Sequence, residues 1–377
     1  MRILVLLLGG NNIPNYAIID YFSRNPTPFG FEKVVLVASA QSFPFVERFK
    51  EAFPKVEFLP INLGAEFRNL RKIEELLYRE LRGLNPTFIH LNYTGGTKPM
   101  SVGASWAVRR LEGEGVEVRY SDISPDSSKL TFFNGEIFPG EGSLTDGVKL
   151  KIEELYRFHG LEIEELRREK LWYYRRGSVG KILERWTGKR MDKEFRKRWG
   201  NLSPDTFQRC LADLEALQIP YRPGIDYISL KEELYPTYIM GGWLEQYIFD
   251  ILEEMRDELG LSDLAWNVRG RLGERGFELD VVAIQGYKCY TFSCSVTSRI
   301  SDIKCKGFEV VVRTEQIGGI RATPILVSLI SDENKRQFEN DWRSSPGRSH
   351  LHLLTFSDLT SEPQLKENLR KLFGRKG

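Results

Sequence analysis

The chain has 377 residues, 41% hydrophobic and 28% charged, which is enough apolar material for two or three ordinary cored domains. Its 54 Lys and Arg against 52 Asp and Glu leave a net charge of +2, so no global field directs it to nucleic acid or to a membrane surface. The run Ile3–Leu8 is far shorter than the ~20 residues that cross a bilayer and has no cleavage site after it, so it reads as a buried strand and excludes a membrane partner.

Charge is uneven along the chain: residues 151–225 carry 17 basic against 12 acidic groups. The four cysteines, Cys210, Cys289, Cys294 and Cys305, have no zinc-ligand spacing, which points to reduced thiols and a cytoplasmic location.

In the first third, β-branched runs alternate with segments of helical period. Arg2–Leu8, Lys33–Ala38, Val56–Pro60, Thr87–Leu91 and Val116–Tyr120 read as strands, and Ile13–Arg24, Phe43–Phe53, Glu66–Leu81 and Lys98–Leu111 as helices. Strand–helix alternation with near-continuous apolar strands predicts a parallel sheet covered on both faces, a Rossmann-like layer. Ligands of such sheets sit beyond the carboxyl ends of the strands.

Two strand-to-helix junctions have the chemistry for that role. One is Gly9-Gly10-Asn11-Asn12-Ile13-Pro14-Asn15, whose glycines free the backbone and whose Asn side chains offer hydrogen bonds, and the other is Asn92-Tyr93-Thr94-Gly95-Gly96-Thr97-Lys98-Pro99-Met100-Ser101. The second follows an apolar strand and opens a helix, so its amides suit a phosphate and Lys98 adds charge. Neither has the spacing of a dinucleotide fingerprint or a Walker A loop. Tight turns with capping residues are the other reading of both.

In the middle, Glu162–Arg176 reads as a charged amphipathic helix, followed by helices at Ser178–Thr187 and Pro204–Leu217 and a turn and short strand over Tyr221–Ser229. This order resembles a winged helix, beside a basic cluster of Lys189, Arg190, Lys193, Arg196, Lys197 and Arg198. A solvated spacer is the alternative.

In the last third, Gly241-Gly242-Trp243-Leu244-Glu245 opens a helix ending near Leu259. Strands follow at Phe277–Ile284 and Cys289–Ser295. Glu278 and Asp280 lie two apart on the first, hence on one face. Acidic oxygens so placed suit Mg²⁺ or Mn²⁺, with a lysine to orient or deprotonate a water.

The Thr-Gly-Gly-Thr-Lys junction with the Gly-Gly-Asn-Asn loop resembles the CARF (CRISPR-associated Rossmann fold) domains over about residues 1–145. The last third resembles the PD-(D/E)XK restriction-endonuclease-like domain, and the order of the two resembles the cyclic-oligoadenylate-activated nucleases of type III CRISPR antiviral defence. The resemblance implies a cyclic oligoadenylate, the tetra-adenylate first, held by Gly10, Asn11, Asn12, Thr94, Gly95, Gly96, Thr97 and Lys98 of two protomers in a homodimer. It implies a metal-dependent hydrolase acting on DNA, RNA or both, with Glu245 and Asp280 as metal ligands and catalytic residues beside Glu278.

The family's Glu-x-Lys element is missing: Ser293 and Ser295 stand in its place. Lys304 or Lys306 on the next helix is the candidate for a migrated lysine, and Glu309 for a carboxylate. A ligand-responsive DNA-binding regulator with a degenerate nuclease domain is the alternative.

The expected architecture is therefore α/β. A Rossmann-like parallel sheet spans residues 1–150, a helical or winged-helix connector 151–235, and a PD-(D/E)XK-like α/β domain 236–377.

Overall fold

The computed structural model describes residues 1–25, 30–123, 129–132, 144–169, 221–223, 228–230, 242–297, 299–319, 322–344 and 350–374. Contacts divide it into two units: Met1–Glu162 with Ile284–Lys288 and Ile317–Arg321, and Ile163–Ala283 with Cys289–Gln316 and Ala322–Gly377. No described helix is long and apolar enough to cross a membrane.

The first unit is built on strands β1 (Arg2–Leu8), β2 (Lys33–Ala38), β3 (Glu57–Asn62), β4 (Phe88–Asn92), β5 (Glu117–Ile123) and β6 (Leu130–Phe132). They form one sheet in the order β3-β2-β1-β4-β5-β6, parallel except for β6. Ile3–Leu8 and Val34–Ala38 are buried throughout, because helices cover both faces.

Helices α1 (Ile13–Arg24), α2 (Phe45–Ala52), α3 (Leu70–Gly83) and α4 (Lys98–Gly113) make the crossovers. The Asn69 side chain caps α3 by accepting from the Lys72 amide at 3.3 Å, and Ile73, Leu77 and Leu81 form its buried stripe. Burying each such side chain contributes roughly 1.5–3 kcal/mol. On α4, Gly103 lets the helix approach Ile73 so closely that a Cβ there would lie 2.6 Å from a side-chain methyl. Short helices α5 (Leu144–Gly147) and α6 (Ile152–His159) complete the unit.

The strand order reverses between β1 and β4, so the loops leaving these two strands lie side by side at the switch point of the sheet.

A buried histidine makes this unit sensitive to acid. His90 on β4 is 2% exposed, and its Nε2 lies 2.6 Å from the Ser121 hydroxyl. Burial first, then the charges of Arg119 and Arg2, push its pKa down to about 3. An unfolded histidine titrates near 6.5, so between these values the unfolded chain takes up a proton that the folded chain refuses. Stability is therefore lost as pH falls from about 6.5 towards 3, by about 3 kcal/mol at pH 4. Urea unfolding of His90→Asn at pH 7 and pH 4 should show a shallower pH dependence than the native chain. Equal dependence in both would remove His90 as the cause.

The second unit carries β7 (Glu162–Arg167), the short antiparallel pair β8 (Tyr221–Pro223) and β9 (Ile228–Leu230), α7 (Gly242–Glu254), α8 (Arg256–Leu259), β10 (Leu261–Leu272), β11 (Arg275–Gln285) and β12 (Lys288–Ser295). It continues through α9 (Ile300–Gly318), β13 (Thr323–Ser328), α10 (Asp332–Ser344), β14 (His352–Leu354), α11 (Phe356–Thr360) and α12 (Glu362–Leu372). Its main sheet runs β14-β13-β12-β11-β10-β7, with β12, β13 and β14 parallel. Trp243, Tyr247 and Ile251 of α7 pack with Val281, Ala283, Phe292 and Leu369 into its larger core, while Ile303, Phe338 and Trp342 form a second one.

The expected helix over Glu162–Arg176 is corrected here: its first six residues are strand β7. Glu164 and Glu165 meet Arg271 and Arg269 of β10 at 2.5 and 3.3 Å, cross-strand pairs that hold the segment extended at the sheet edge. The expected helices Ser178–Thr187 and Pro204–Leu217, and the basic cluster between them, lie outside the described residues.

Candidate functional sites

At the switch point of the first unit, two glycine-rich loops meet backbone to backbone. A Cβ on Gly9 would lie 3.0 Å from the Gly96 nitrogen, and one on Gly95 would lie 2.2 Å from the Leu7 carbonyl oxygen. Gly96 is left-handed (φ 74°). A side chain cannot be accommodated at Gly95, and one at Gly9 would press on the Gly96 backbone, so the loop sequence follows from the close packing of β1 and β4.

The expected ligand residues separate by environment. Asn12 is 1% exposed, and both ends of its amide are bound to Gly9: Nδ2 donates to the carbonyl at 2.9 Å, and Oδ1 accepts from the amide at 3.0 Å. The Thr94 hydroxyl accepts from the Ile123 amide at 2.8 Å, fastening the second loop to β5. Asn12, Thr94 and the buried Gly95 thus shape the loops.

Gly10, Thr97 and Lys98 are exposed, and Asn11 and Gly96 partly so. Lys98 opens α4 and makes no ion pair among the described residues; the Thr97 side chain leaves the helix end uncapped. Free amides, a helix N-terminus and an uncommitted ammonium form an anion-binding surface. Asn15, which closes the first junction, is fully buried on α1. Its Nδ2 donates to the Leu7 carbonyl at 2.8 Å, and its Oδ1 has no hydrogen-bond partner.

In the second unit, Glu245 from the first turn of α7 and Asp280 from β11 share one electrostatic neighbourhood with Lys306 of α9. Both carboxyls titrate above the ordinary carboxylate range. Burial is the first cause for each, and for Glu245 the charges of Asp280 and Glu278 come next. The Cys294 amide donates to Asp280 Oδ2 at 2.5 Å, and that bond, Lys306 and the Ser293 hydroxyl favour the charged form of Asp280. Burial and the two carboxylates push the Cys294 thiol well up, so it stays protonated.

Glu278 is exposed and turned to Arg269, 3.4 Å away. The two candidate lysines part company: Lys304 pairs with Asp341 of α10 at 2.5 Å, while Lys306 makes no ion pair within 4 Å among the described residues and faces the carboxylates electrostatically. Glu309 is exposed and forms no part of the pair's neighbourhood. Ser293 is half-buried and Ser295 is 8% exposed.

Among the described residues, no group of three or more His, Cys, Asp or Glu side chains is close enough together to hold a metal ion. Two carboxylates remain. They fit a hard cation of the Mg²⁺ type, which commonly takes one or two carboxylates and keeps several waters. They do not fit a fully protein-caged metal.

No protein-family model matches the chain, and no curated protein matches it. Solved structures match it over nearly its whole length, among them the following two. Can2 from Sulfobacillus thermosulfidooxidans, in complex with cyclic tetra-adenylate, is 18% identical with a TM-score of 0.73, covering 99% of both chains. Protein VC1899 from Vibrio cholerae is 16% identical with a TM-score of 0.72, covering 99% of this chain and 98% of that one. The chain therefore has the mixed α/β fold of these proteins, a parallel-rich Rossmann-like sheet and a second α/β sheet.

Proposed function

We propose that the chain is a cyclic oligoadenylate-activated, metal-dependent nuclease of type III CRISPR antiviral defence, active in the cytoplasm as a homodimer. The observation that carries the nuclease reading is the convergence of Glu245, Asp280 and Lys306 from three separate elements on one neighbourhood. The sensor reading is supported by the exposed anion-binding loop and by the fold shared with Can2, whose structure holds cyclic tetra-adenylate.

A ring of two-fold or higher symmetry is matched by two copies of one loop. Directly after that loop, Val102 and Trp106 of α4 are 40% and 44% exposed, an apolar pair one turn apart that suits a second protomer.

In the nuclease unit, Glu245 and Asp280 would hold Mg²⁺ or Mn²⁺. Such an ion supplies Lewis acidity towards a phosphoryl oxygen and a bound water of lowered pKa. The protein's own groups do the rest. The Cys294 amide fixes the orientation of Asp280, and the Ser293 hydroxyl adds a second bond to it. Lys306 carries the positive charge that the Glu-x-Lys pattern places on the strand, and stabilises negative charge growing on the cleaved phosphate.

Incubation of labelled single-stranded and supercoiled nucleic acids with the protein tests the reading. Cleavage that requires both cyclic tetra-adenylate and Mn²⁺ is expected. Ligand-dependent DNA retention without cleavage would establish the regulator instead, the reading favoured by serines at 293 and 295.

On the sensor side, Lys98→Ala should weaken cyclic tetra-adenylate binding by roughly 1.5–3 kcal/mol per lost charge-assisted contact. The exposed side chain leaves the fold intact. A calorimetric titration with native affinity would take Lys98 out of the site.

A further inference from the structure

We infer that Arg269 of β10 is the group that receives a nucleic-acid backbone phosphate beside the Glu245–Asp280 pair. The inference rests on the nuclease reading of that pair and assigns its substrate contact. Arg269 is half-exposed, and its charge acts on Glu245. Its two tethers are long: Nη1 lies 3.3 Å from Glu165 Oε2, and Nη2 lies 3.4 Å from Glu278 Oε1. Both exceed the 2.7–3.2 Å usual for N–H···O bonds. A guanidinium has five donors in a planar fork that matches two phosphate oxygens, so a phosphate would displace the weak Glu278 contact and use donors that Glu278 leaves idle.

The backbone places Arg269 there by an unusual device. Asn267, two residues earlier, is left-handed (φ 48°), one of two non-glycine residues with positive φ among those described. Leu264–Val268 are buried without alternation, and the exposed–buried–exposed pattern begins only at Arg269. A left-handed residue inside a strand costs backbone energy and re-aims the side chains that follow it.

The Asn267 side-chain Nδ2 donates to Glu165 Oε1 at 3.1 Å, and the other oxygen of the same carboxylate holds Arg269. Glu165 is itself fixed by Arg167 at 2.6 Å. One carboxylate therefore anchors both the strained residue and the arginine it aims. Lys306 flanks the carboxylate pair from α9 and Arg269 from β10, so a phosphodiester over the pair would meet one cation from each.

The test uses the full chain with cyclic tetra-adenylate and Mn²⁺, and measures cleavage of a labelled nucleic acid over a range of substrate and salt concentrations. Arg269→Ala should raise KM about tenfold, change kcat less, and reduce the slope of log KM against log salt by about one. Arg269→Lys should restore the slope, having the charge, but only part of the KM, lacking the fork. Unchanged KM and slope in Arg269→Ala would overturn the inference. So would a loss of kcat with both unmoved, the mark of a purely structural role.

Binding of the same nucleic acid to Asp280→Asn, with and without Arg269→Ala, needs no cleavage. A lower salt slope there supports the phosphate contact even if the native protein proves not to cut, which separates the two claims; an equal slope counts against Arg269 whatever the enzyme does.

Discussion

Asp280→Asn should abolish Mn²⁺-dependent cleavage, by on the order of a hundredfold or more, while leaving the apo protein as stable as the native chain or slightly more stable. The first effect follows from removing one of two carboxylates that could hold the ion; even outer-shell partners of metal ligands cost 10–100-fold when mutated. The second follows from the same geometry. Asp280 is held among protein groups near Glu245 and Glu278, and each negative charge there disfavours the others. Asparagine keeps an oxygen for the Cys294 amide and relieves that repulsion. Activity and stability thus move in opposite directions, as at sites where function is kept at some expense of stability. Cyclic tetra-adenylate affinity, which the proposed function assigns to the first unit, should be unaffected. Rate measurements, thermal unfolding without metal and a ligand titration check the three parts. Intact cleavage in Asp280→Asn would show that a different set of carboxylates, or a contaminant, does the cutting.

How far the sequence carries to this point depends on whether the deciding contact lies within one element or between two. Strands β1 and β2 coincide with the apolar runs that announce them, because Ile3–Leu8 and Val34–Ala38 are buried on both faces and turn signals bound them. The loops are legible for the same reason: Gly95 and Gly96 sit where the Leu7 backbone and side chain leave no room for a Cβ.

Strand β7 is not legible. The alternation of charge and aliphatic residues in Glu162–Arg167 fits a helix face, and only Arg269 and Arg271, about a hundred residues later, make it an edge strand. β10 also went unread, since Leu264–Val268 has the continuous burial of a strand packed on both sides and no alternation to mark it.

At the candidate nuclease site, Glu245 and Asp280 are visible as acidic residues in apolar surroundings. The choice between Lys304 and Lys306 is not, because two positions along a helix differ by half a turn and only the neighbouring elements decide which one faces β11. α10 supplies Asp341 to Lys304, which leaves Lys306 for the carboxylates. Arg269 was hidden for a related reason: its position depends on the left-handed Asn267 and on Glu165 from β7, an element the periodicity misassigns.

Ser293→Glu should raise Mn²⁺ affinity about tenfold or more, lower apo stability, and recover that loss when Mn²⁺ is added. Ser293 lies on β12 next to Cys294, and its hydroxyl bonds Asp280. A carboxylate there would be the third around the same point. Without a cation, it adds repulsion to two groups whose charged forms burial already disfavours, so the apo fold weakens. With a divalent ion, a carboxylate charge at about 4 Å contributes roughly 8 kcal/mol of attraction at an effective dielectric constant near 20, before desolvation and repulsion are set against it, and tenfold in affinity needs only about 1.4 kcal/mol of net gain. The two effects are linked: the shift of the unfolding midpoint with Mn²⁺ should be larger in the variant than in the native chain. Adding Ser295→Lys should not help further. Ser295 is buried, and Lys306 already supplies a positive charge to Asp280, so a second ammonium would be desolvated and would compete with the cation. Calorimetric Mn²⁺ titration of the native, single and double variants decides the matter. Equal affinity in native and Ser293→Glu would mean that position 293 does not face the metal; a further gain on adding Ser295→Lys would mean that Lys306 does not take the strand lysine's place.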